Sequence, residues 1–262
     1  MQRFGDKVGF VTGGGTGIGL ACARAIVAGG GRVMLAGRRL EVVENAARQL
    51  GPNAAAIGCD VTDEASVAAA VAATVERFGS LGLAVNSAGM GSIGTVLNAS
   101  AEDFARTFDT NVTGVFRSLQ HEARAMRAGG GGSIVNISSI AGGVTHRFMT
   151  AYCASKAAVN MLTRCAADDL GEYRIRVNSV MPGLVDTDLA MPLTASDEAR
   201  RDYLDCMPIS RMGAPEDVGS IVAFLLSDEA SWITGQCIPV DGGHTLRRGP
   251  NLVDIFRPLL PE

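Results

Sequence analysis

Lysine is nearly missing from this chain of 262 residues: only Lys7 and Lys156 stand beside 21 arginines. Coding bias accounts for most of that imbalance, but it makes a lysine at a chemically apt position more informative. Charge is sparse as well, with 19% of residues charged against 47% apolar and a formal net charge of -4. That excludes a disordered polypeptide, which needs high charge and few core residues. It also leaves no basic face to neutralise duplex phosphates, so no nucleic-acid partner is expected. The six cysteines (Cys22, Cys59, Cys153, Cys165, Cys206, Cys237) form no C-x-x-C pair, and only His121, His146 and His244 accompany them. Neither a metal site nor a disulfide framework follows, and the thiols read as reduced in a cytoplasmic protein. No apolar run approaches the ~18 residues of a membrane span. No charged-then-apolar leader precedes the strand expected near Lys7. The expectation is a soluble protein with no membrane partner.

What the chain has instead is alternation, and 33 glycines. Short β-branched runs predict strands at 8–12, 32–36, 54–58, 83–86, 133–138, 175–180 and 237–240. Between them, apolar spacing predicts helices at 17–28, 40–50, 64–78, 101–128, 151–170 and 215–227. Strands alternating with helices of this length make βαβ units, hence a parallel sheet covered on both faces. Right-handed crossovers make it doubly wound. The fold class is therefore α/β, a single-domain Rossmann-type parallel sheet of about seven strands spanning 1–262. The glycine run at 129–132 is expected to stop a long helix and turn into the next strand. The stretch 184–212, with Pro192, Pro208, three methionines and weak periodicity, reads as a mobile substrate lid. The tail 246–262 carries Leu252, Val253, Ile255, Phe256, Leu259 and Leu260, and is expected to pack on a neighbouring subunit.

The first strand runs straight into Thr12-Gly13-Gly14-Gly15-Thr16-Gly17-Ile18-Gly19. Glycines here let backbone turn tightly and approach a pyrophosphate without a Cβ in the way. The helix that follows then offers free N–H groups and its positive dipole end. Further on, Tyr152 and Lys156 are four apart on a predicted helix, so they share a face. A phenol of reference pKa ~10 is a poor base at neutral pH. An ammonium ~4 Å away contributes roughly 4 kcal/mol at an effective dielectric of 20, on the order of three pKa units. The expectation is that Lys156 brings Tyr152 near working pH, where general acid–base catalysis is efficient. At the end of the second strand, an acidic side chain would bond the ribose 2′-OH of NAD. This chain has Gly37 and then Arg38 and Arg39, and arginine binds phosphate well, which predicts NADP(H) over NAD(H).

The glycine spacing T-G-x-x-x-G-x-G resembles that of the short-chain dehydrogenase/reductase family. Five more motifs follow in that family's order: Asp60-Val61, Asn86-Ser87-Ala88-Gly89, Asn111, Ser139 with Tyr152-x-x-x-Lys156, and Pro182-Gly183-x-x-x-Thr187. The resemblance covers residues 5–245. It implies a catalytic group of Asn111, Ser139, Tyr152 and Lys156, with Asn111 fixing a water beside Lys156 and Ser139, not Ser138, orienting the substrate oxygen. It implies cofactor contacts from Gly13, Gly15, Thr16, Gly17, Ile18, Gly19, Arg38, Arg39, Asp60, Val61, Asn86, Ala88, Gly89, Tyr152, Lys156, Pro182, Gly183, Val185 and Thr187. Asp60 is expected at the adenine and Thr187 at the nicotinamide carboxamide, and the assembly is expected to be a homotetramer.

The implied activity moves a hydride between a nicotinamide and a ketone or secondary alcohol. Alternatives are a 3-oxoacyl carrier-protein reductase, which the acidic Asp168, Asp169 and Glu172 disfavour, a sugar dehydrogenase, and a non-catalytic dinucleotide sensor or scaffold. Two departures stand out: Ser87 replaces a usual asparagine, and Arg174 a usual glycine. His146 and Arg147 read as exposed loop residues.

Overall fold

The strands β1 (Val8–Thr12), β2 (Arg32–Gly37), β3 (Ala54–Gly58), β4 (Leu83–Asn86), β5 (Gly132–Ile137), β6 (Ile175–Pro182) and β7 (Cys237–Val240) pair into one parallel sheet. A computed structural model describes residues 2–247 and 252–259. The strand order is β3-β2-β1-β4-β5-β6-β7, so winding reverses between β1 and β4. Thr12 pairs with Ala36 on one side and Asn86 on the other, at the carboxyl end where a crevice opens in such sheets.

Strands buried on both faces read as continuous apolar runs, and β1 and β4 are buried at every position. Val11, Leu35, Val85 and Val135 pack into one layer with α1 (Gly17–Ala28), α2 (Leu40–Leu50) and α8 (Pro215–Leu226). Their neighbours Phe10, Met34, Ala84 and Ile134 point the other way, against α3 (Glu64–Phe78), α5 (Gly114–Ala128) and α6 (Thr150–Leu170). Each of the Val, Leu, Ile, Met and Phe side chains contributes roughly 1.5–3 kcal/mol when fully buried. Asp63 caps α3 by accepting from the Ala65 N–H, which is one reason that helix starts where it does. None of the described helices is long and apolar enough to cross a membrane.

Three segments differ from expectation. The helix predicted over 101–128 is interrupted: α4 (Ala101–Phe108) leads through a π turn at Asp109–Thr113 into α5. The wider turn brings Thr110 and Asn111 both to the buried side, as π turns at functional sites commonly do. Past α5, the glycine run turns the chain into β5 with φ of 91° at Gly130 and 131° at Gly131.

The segment 184–212, expected to act as a lid, contains a helix, α7 (Asp197–Cys206), capped by Ser196, whose hydroxyl accepts from the Ala199 N–H. Its inward residues are Ala199, Tyr203 and Cys206, too few among charged neighbours to stand out as a period. The two ends of the lid are tied together: the Gly213 N–H donates to the Leu184 carbonyl, and the Asp186 N–H to the Gly213 carbonyl, both at 2.9 Å.

The tail also departs from expectation. Leu252 and Phe256, the latter in the short α9 (Val253–Phe256), are buried against Phe148, Met149, Leu184, Tyr203 and Met207 of the same chain. Its inward apolar face is therefore covered without a neighbour, while Leu259 is exposed. Residues 248–251 and 260–262, Leu260 included, lie outside the described residues.

Candidate active site

A cavity of about 1000 Å³ follows the carboxyl edge of the sheet across the β1–β4 reversal. At one end the loop from β1 to α1 forms its floor. Gly13 has φ of 64°, and a Cβ there would lie 2.9 Å from the Ala88 N atom. A Cβ at Gly19 would collide with the Gly13 carbonyl oxygen. The loop is thus a cradle that side chains would fill, which is what close approach by a pyrophosphate requires. Thr16 precedes α1 in extended conformation, and the helix has no acidic residue in its first turn, so its positive end is uncompensated. Gly15, Thr16, Gly17, Ile18 and Gly19 all line the cavity, and a Cβ on Gly17 would approach Thr187 Cγ2 to 3.2 Å. The loop therefore faces the Pro182, Gly183, Val185 and Thr187 wall directly. These residues fit a dinucleotide.

Arg38 and Arg39 are exposed on the rim where β2 ends. Asp60 is oriented by Thr62, whose N–H and hydroxyl both donate to its Oδ1 at 3.0 and 2.8 Å. The Thr62 N–H is the main reason its carboxyl is held below the usual range, and Arg38 adds to it. Val61, Ala88 and Gly89 line the same stretch.

Asn86 does not. Its side chain is buried beneath the cavity, donating at 3.0 Å to both Glu122 Oε2 and Asn136 Oδ1. Ser87, Ala88 and Gly89 form the wall there instead. Burial pushes the Glu122 carboxyl up to about 8, with the Asn86 bond opposing.

Ser139, Tyr152 and Lys156 meet on the opposite wall. Ser139 follows β5 in extended conformation, and its hydroxyl accepts from the Ala141 N–H. The Ser138 hydroxyl is committed to the Lys156 carbonyl at 3.1 Å. Lys156 is buried, donates from Nζ to the Ile137 carbonyl at 2.9 Å, and lies 5.6 Å from the Tyr152 ring centroid. Burial pulls its ammonium down to about 8.

The expected depression of the Tyr152 pKa is absent. Burial pushes the phenol above its ordinary value, and the Ser139 hydroxyl only partly opposes this. With its Nζ bonded to Ile137, the ammonium does not outweigh the loss of water around the phenolate.

Asn111 is fully buried and is not part of the cavity wall. Its Oδ1 accepts from the Met90 N–H at 2.8 Å, while Nδ2 donates to the Met90 carbonyl and to Ser155 Oγ. It pins the β4–α4 loop to α6, and a Cβ on Gly89 would lie 3.3 Å from its Oδ1 and 3.7 Å from Lys156 Nζ.

Beyond Tyr152 the wall is completed by Leu193, from the segment expected to form an apolar lid, and by residues that pattern alone missed: His146, Met149, Tyr203 and Phe256. His146 is buried, against expectation, while Arg147 is exposed. The turn 146–149 folds His146 inward, and no periodicity in a short loop signals that.

A glycine cradle at the sheet's reversal point beside a Ser-Tyr-Lys group defines a dinucleotide-dependent oxidoreductase. Comparison with known proteins agrees. The family described as enoyl-(acyl carrier protein) reductase matches residues 13–245. A cyclohexanol dehydrogenase of Acinetobacter sp. (strain SE19) is 38% identical over 248 residues, 93% of this chain and 97% of its own length. A sorbitol dehydrogenase of Cereibacter sphaeroides is 38% identical over 253 residues, 93% of this chain and 99% of its own. A solved short-chain type dehydrogenase/reductase from Mycobacterium ulcerans superposes with a TM-score of 0.94 at 44% identity, covering 98% of this chain and 96% of that one. The chain belongs to the short-chain dehydrogenase/reductase family. It is an oxidoreductase acting on CH–OH and carbonyl groups with a nicotinamide dinucleotide.

Proposed function

We propose that this enzyme interconverts secondary alcohols and ketones with a preference for NADP(H) over NAD(H). The observation that carries the reading is the convergence of Ser139, Tyr152 and Lys156 on one wall of a cavity whose other end is a phosphate cradle. The relatives named for cyclohexanol and for sorbitol support a secondary-alcohol substrate, and bracket it between one hydroxyl group and many.

A bound nicotinamide supplies or accepts the hydride; the protein manages the proton. Ser139 holds the substrate oxygen against Tyr152, which donates its proton in reduction and accepts one in oxidation. Burial keeps Tyr152 protonated at neutral pH, the form that reduction needs. Lys156, with its pKa lowered to about 8, is cationic at pH 7 and stabilises the phenolate as it develops. Its charge is lost as pH rises through that value, so ketone reduction falls above about pH 8. Asn111 acts through Met90 and Ser155 as a positioning residue.

The coenzyme preference rests on Arg38 and on the absence of a carboxylate at Gly37. It is tested by kcat/KM for NADPH and NADH with one ketone, and equal or better use of NADH overturns it. The same reading includes a cytoplasmic setting, supported by six free cysteines. It also includes a homotetramer, supported by Phe104, Phe116 and Met161 standing exposed on α4, α5 and α6. Light scattering at the mass of one chain would exclude the tetramer.

A further inference from the structure

The loop between β5 and α6 carries a side chain that the proton and hydride chemistry leaves unemployed. His146 is 8% exposed and lines the cavity. Its backbone N–H points to Cys153 Sγ at 3.4 Å, which fixes it beside the residue that follows Tyr152. Its Nδ1 lies 2.9 Å from the Val144 carbonyl oxygen. A carbonyl oxygen only accepts, so Nδ1 carries the proton and Nε2 presents a bare lone pair. The His244 ring stands beside that of His146, 6.1 Å away between centroids, and no hydrogen bond to Nε2 is found among the described residues. Burial, the largest influence on the ring, holds it neutral.

The loop is built to hold this ring. Residues 146–149 form a turn closed by the Met149 N–H on the His146 carbonyl at 3.1 Å. Phe148, its third residue, has φ of 68°, in the left-handed region that a bulky side chain rarely adopts and that glycine or asparagine usually fills. Two contacts keep it there: its carbonyl accepts from the Gly94 N–H at 2.7 Å, and its ring meets Phe256 edge-on at 6.3 Å. Strain of this kind persists only where the surroundings over-determine it, and it clusters at ligand sites.

A lone pair with no hydrogen selects its partner by chemistry. It repels a carboxylate, a phosphate or a second carbonyl, each of which can only accept. An ammonium would have to be desolvated among Met149, Leu184, Leu193 and Phe256. A hydroxyl group meets both conditions. The Tyr203 hydroxyl, on the same wall, both donates and accepts, so it does not make this choice.

We propose that the substrate carries a second hydroxyl group that donates to His146 Nε2, so that the enzyme selects diols, polyols and hydroxyketones over mono-functional alcohols and ketones. The second oxygen takes no part in the redox step. This rests on the reading of the cavity as a secondary-alcohol and ketone site.

The test compares kcat/KM for cyclohexanol with that for cyclohexane-1,2-, 1,3- and 1,4-diol, with NADP+ and NAD+ each supplied at saturation. The best diol is expected to exceed cyclohexanol about tenfold, the scale of one well-made hydrogen bond. His146→Leu should collapse that ratio, and His146→Gln, whose amide oxygen accepts near the Nε2 position, should keep part of it. Imidazole 15N NMR of the wild-type enzyme should show the Nδ1–H tautomer. Oxidation of cyclohexanol with no diol advantage overturns the proposal and leaves the proposed function standing. Failure to oxidise any of the four overturns both. An Nε2–H tautomer, or a diol advantage unchanged in His146→Leu, also overturns the proposal. Should the leucine variant not fold, the wild-type ratio, the glutamine variant and the tautomer still decide.

Discussion

The two ends of the cavity are made of different material. At the dinucleotide end, recognition belongs to backbone: Gly13 and Gly19 occupy places where a Cβ would strike neighbouring main chain, and Ala88 closes over them from β4. At the substrate end it belongs to side chains from three distant segments: His146 and Met149 from the β5–α6 loop, Tyr203 and Leu193 from the lid, and Phe256 from the tail. The first kind of wall permits little substitution and serves one ligand class. The second can be altered one side chain at a time, as loops on a rigid scaffold allow.

The seam between them supplies the largest expected effect. Tyr152→Phe removes the acidic proton and keeps the ring, so turnover should fall by on the order of 10³. NADPH binding by fluorescence should persist; loss of both would mean the two ends are not separable. Arg38→Asp touches only the dinucleotide end. It should move the NADPH/NADH preference toward NADH by about tenfold or more, while the substrate KM stays put.

Phe256→Ala is the counterpart at the other end. It removes a ring that meets Phe148 edge-on, and should raise substrate KM by about tenfold without changing dinucleotide KM. Equal changes in both would break the comparison.

Two smaller effects test the scaffold under both ends. The Glu122 carboxyl is raised from 4.5 to about 8 in the folded chain. The folded state therefore holds a proton that the unfolded state has released between those values. This contribution is fully present below the lower pKa and is lost as pH rises through the upper one. Glu122→Gln should flatten the decline, leaving the variant more stable than the parent by on the order of 2 kcal/mol at pH 8.5 in urea melts. Arg174 sits at φ of 59°, which is the physical reason a glycine is usual there. Arg174→Gly should stabilise by about 1 kcal/mol, with no change in kinetics.

The same contrast explains what the sequence could be made to say. Backbone recognition is written in glycine spacing, and sheet order follows from alternation, so the β1–α1 cradle and the strand ladder are legible in the chain. The family resemblance implies a cofactor contact at Asn86, which opens the motif after β4. Register instead turns its side chain down, toward Asn136 on the paired strand β5. The Tyr152–Lys156 spacing is right, yet the sign of the shift on Tyr152 is not, because desolvation depends on what the rest of the fold piles on top. His146, Tyr203 and Phe256 were invisible as a group, since only tertiary packing brings together positions so far apart in the chain.

One further feature bears on how such an enzyme changes. The two ends of the lid are stitched to each other through Leu184, Asp186 and Gly213, and just beyond, Arg211 forks onto both oxygens of Asp217 at the start of α8 at 2.7 and 2.9 Å. A loop pinched shut at its neck has already met its closure entropy, which grows only slowly with length. Residues 188–212 are therefore expected to be exchangeable as a cassette. A foreign crown of different size grafted above Thr187 is expected to redraw selectivity at the substrate end while Thr187 keeps facing the cradle.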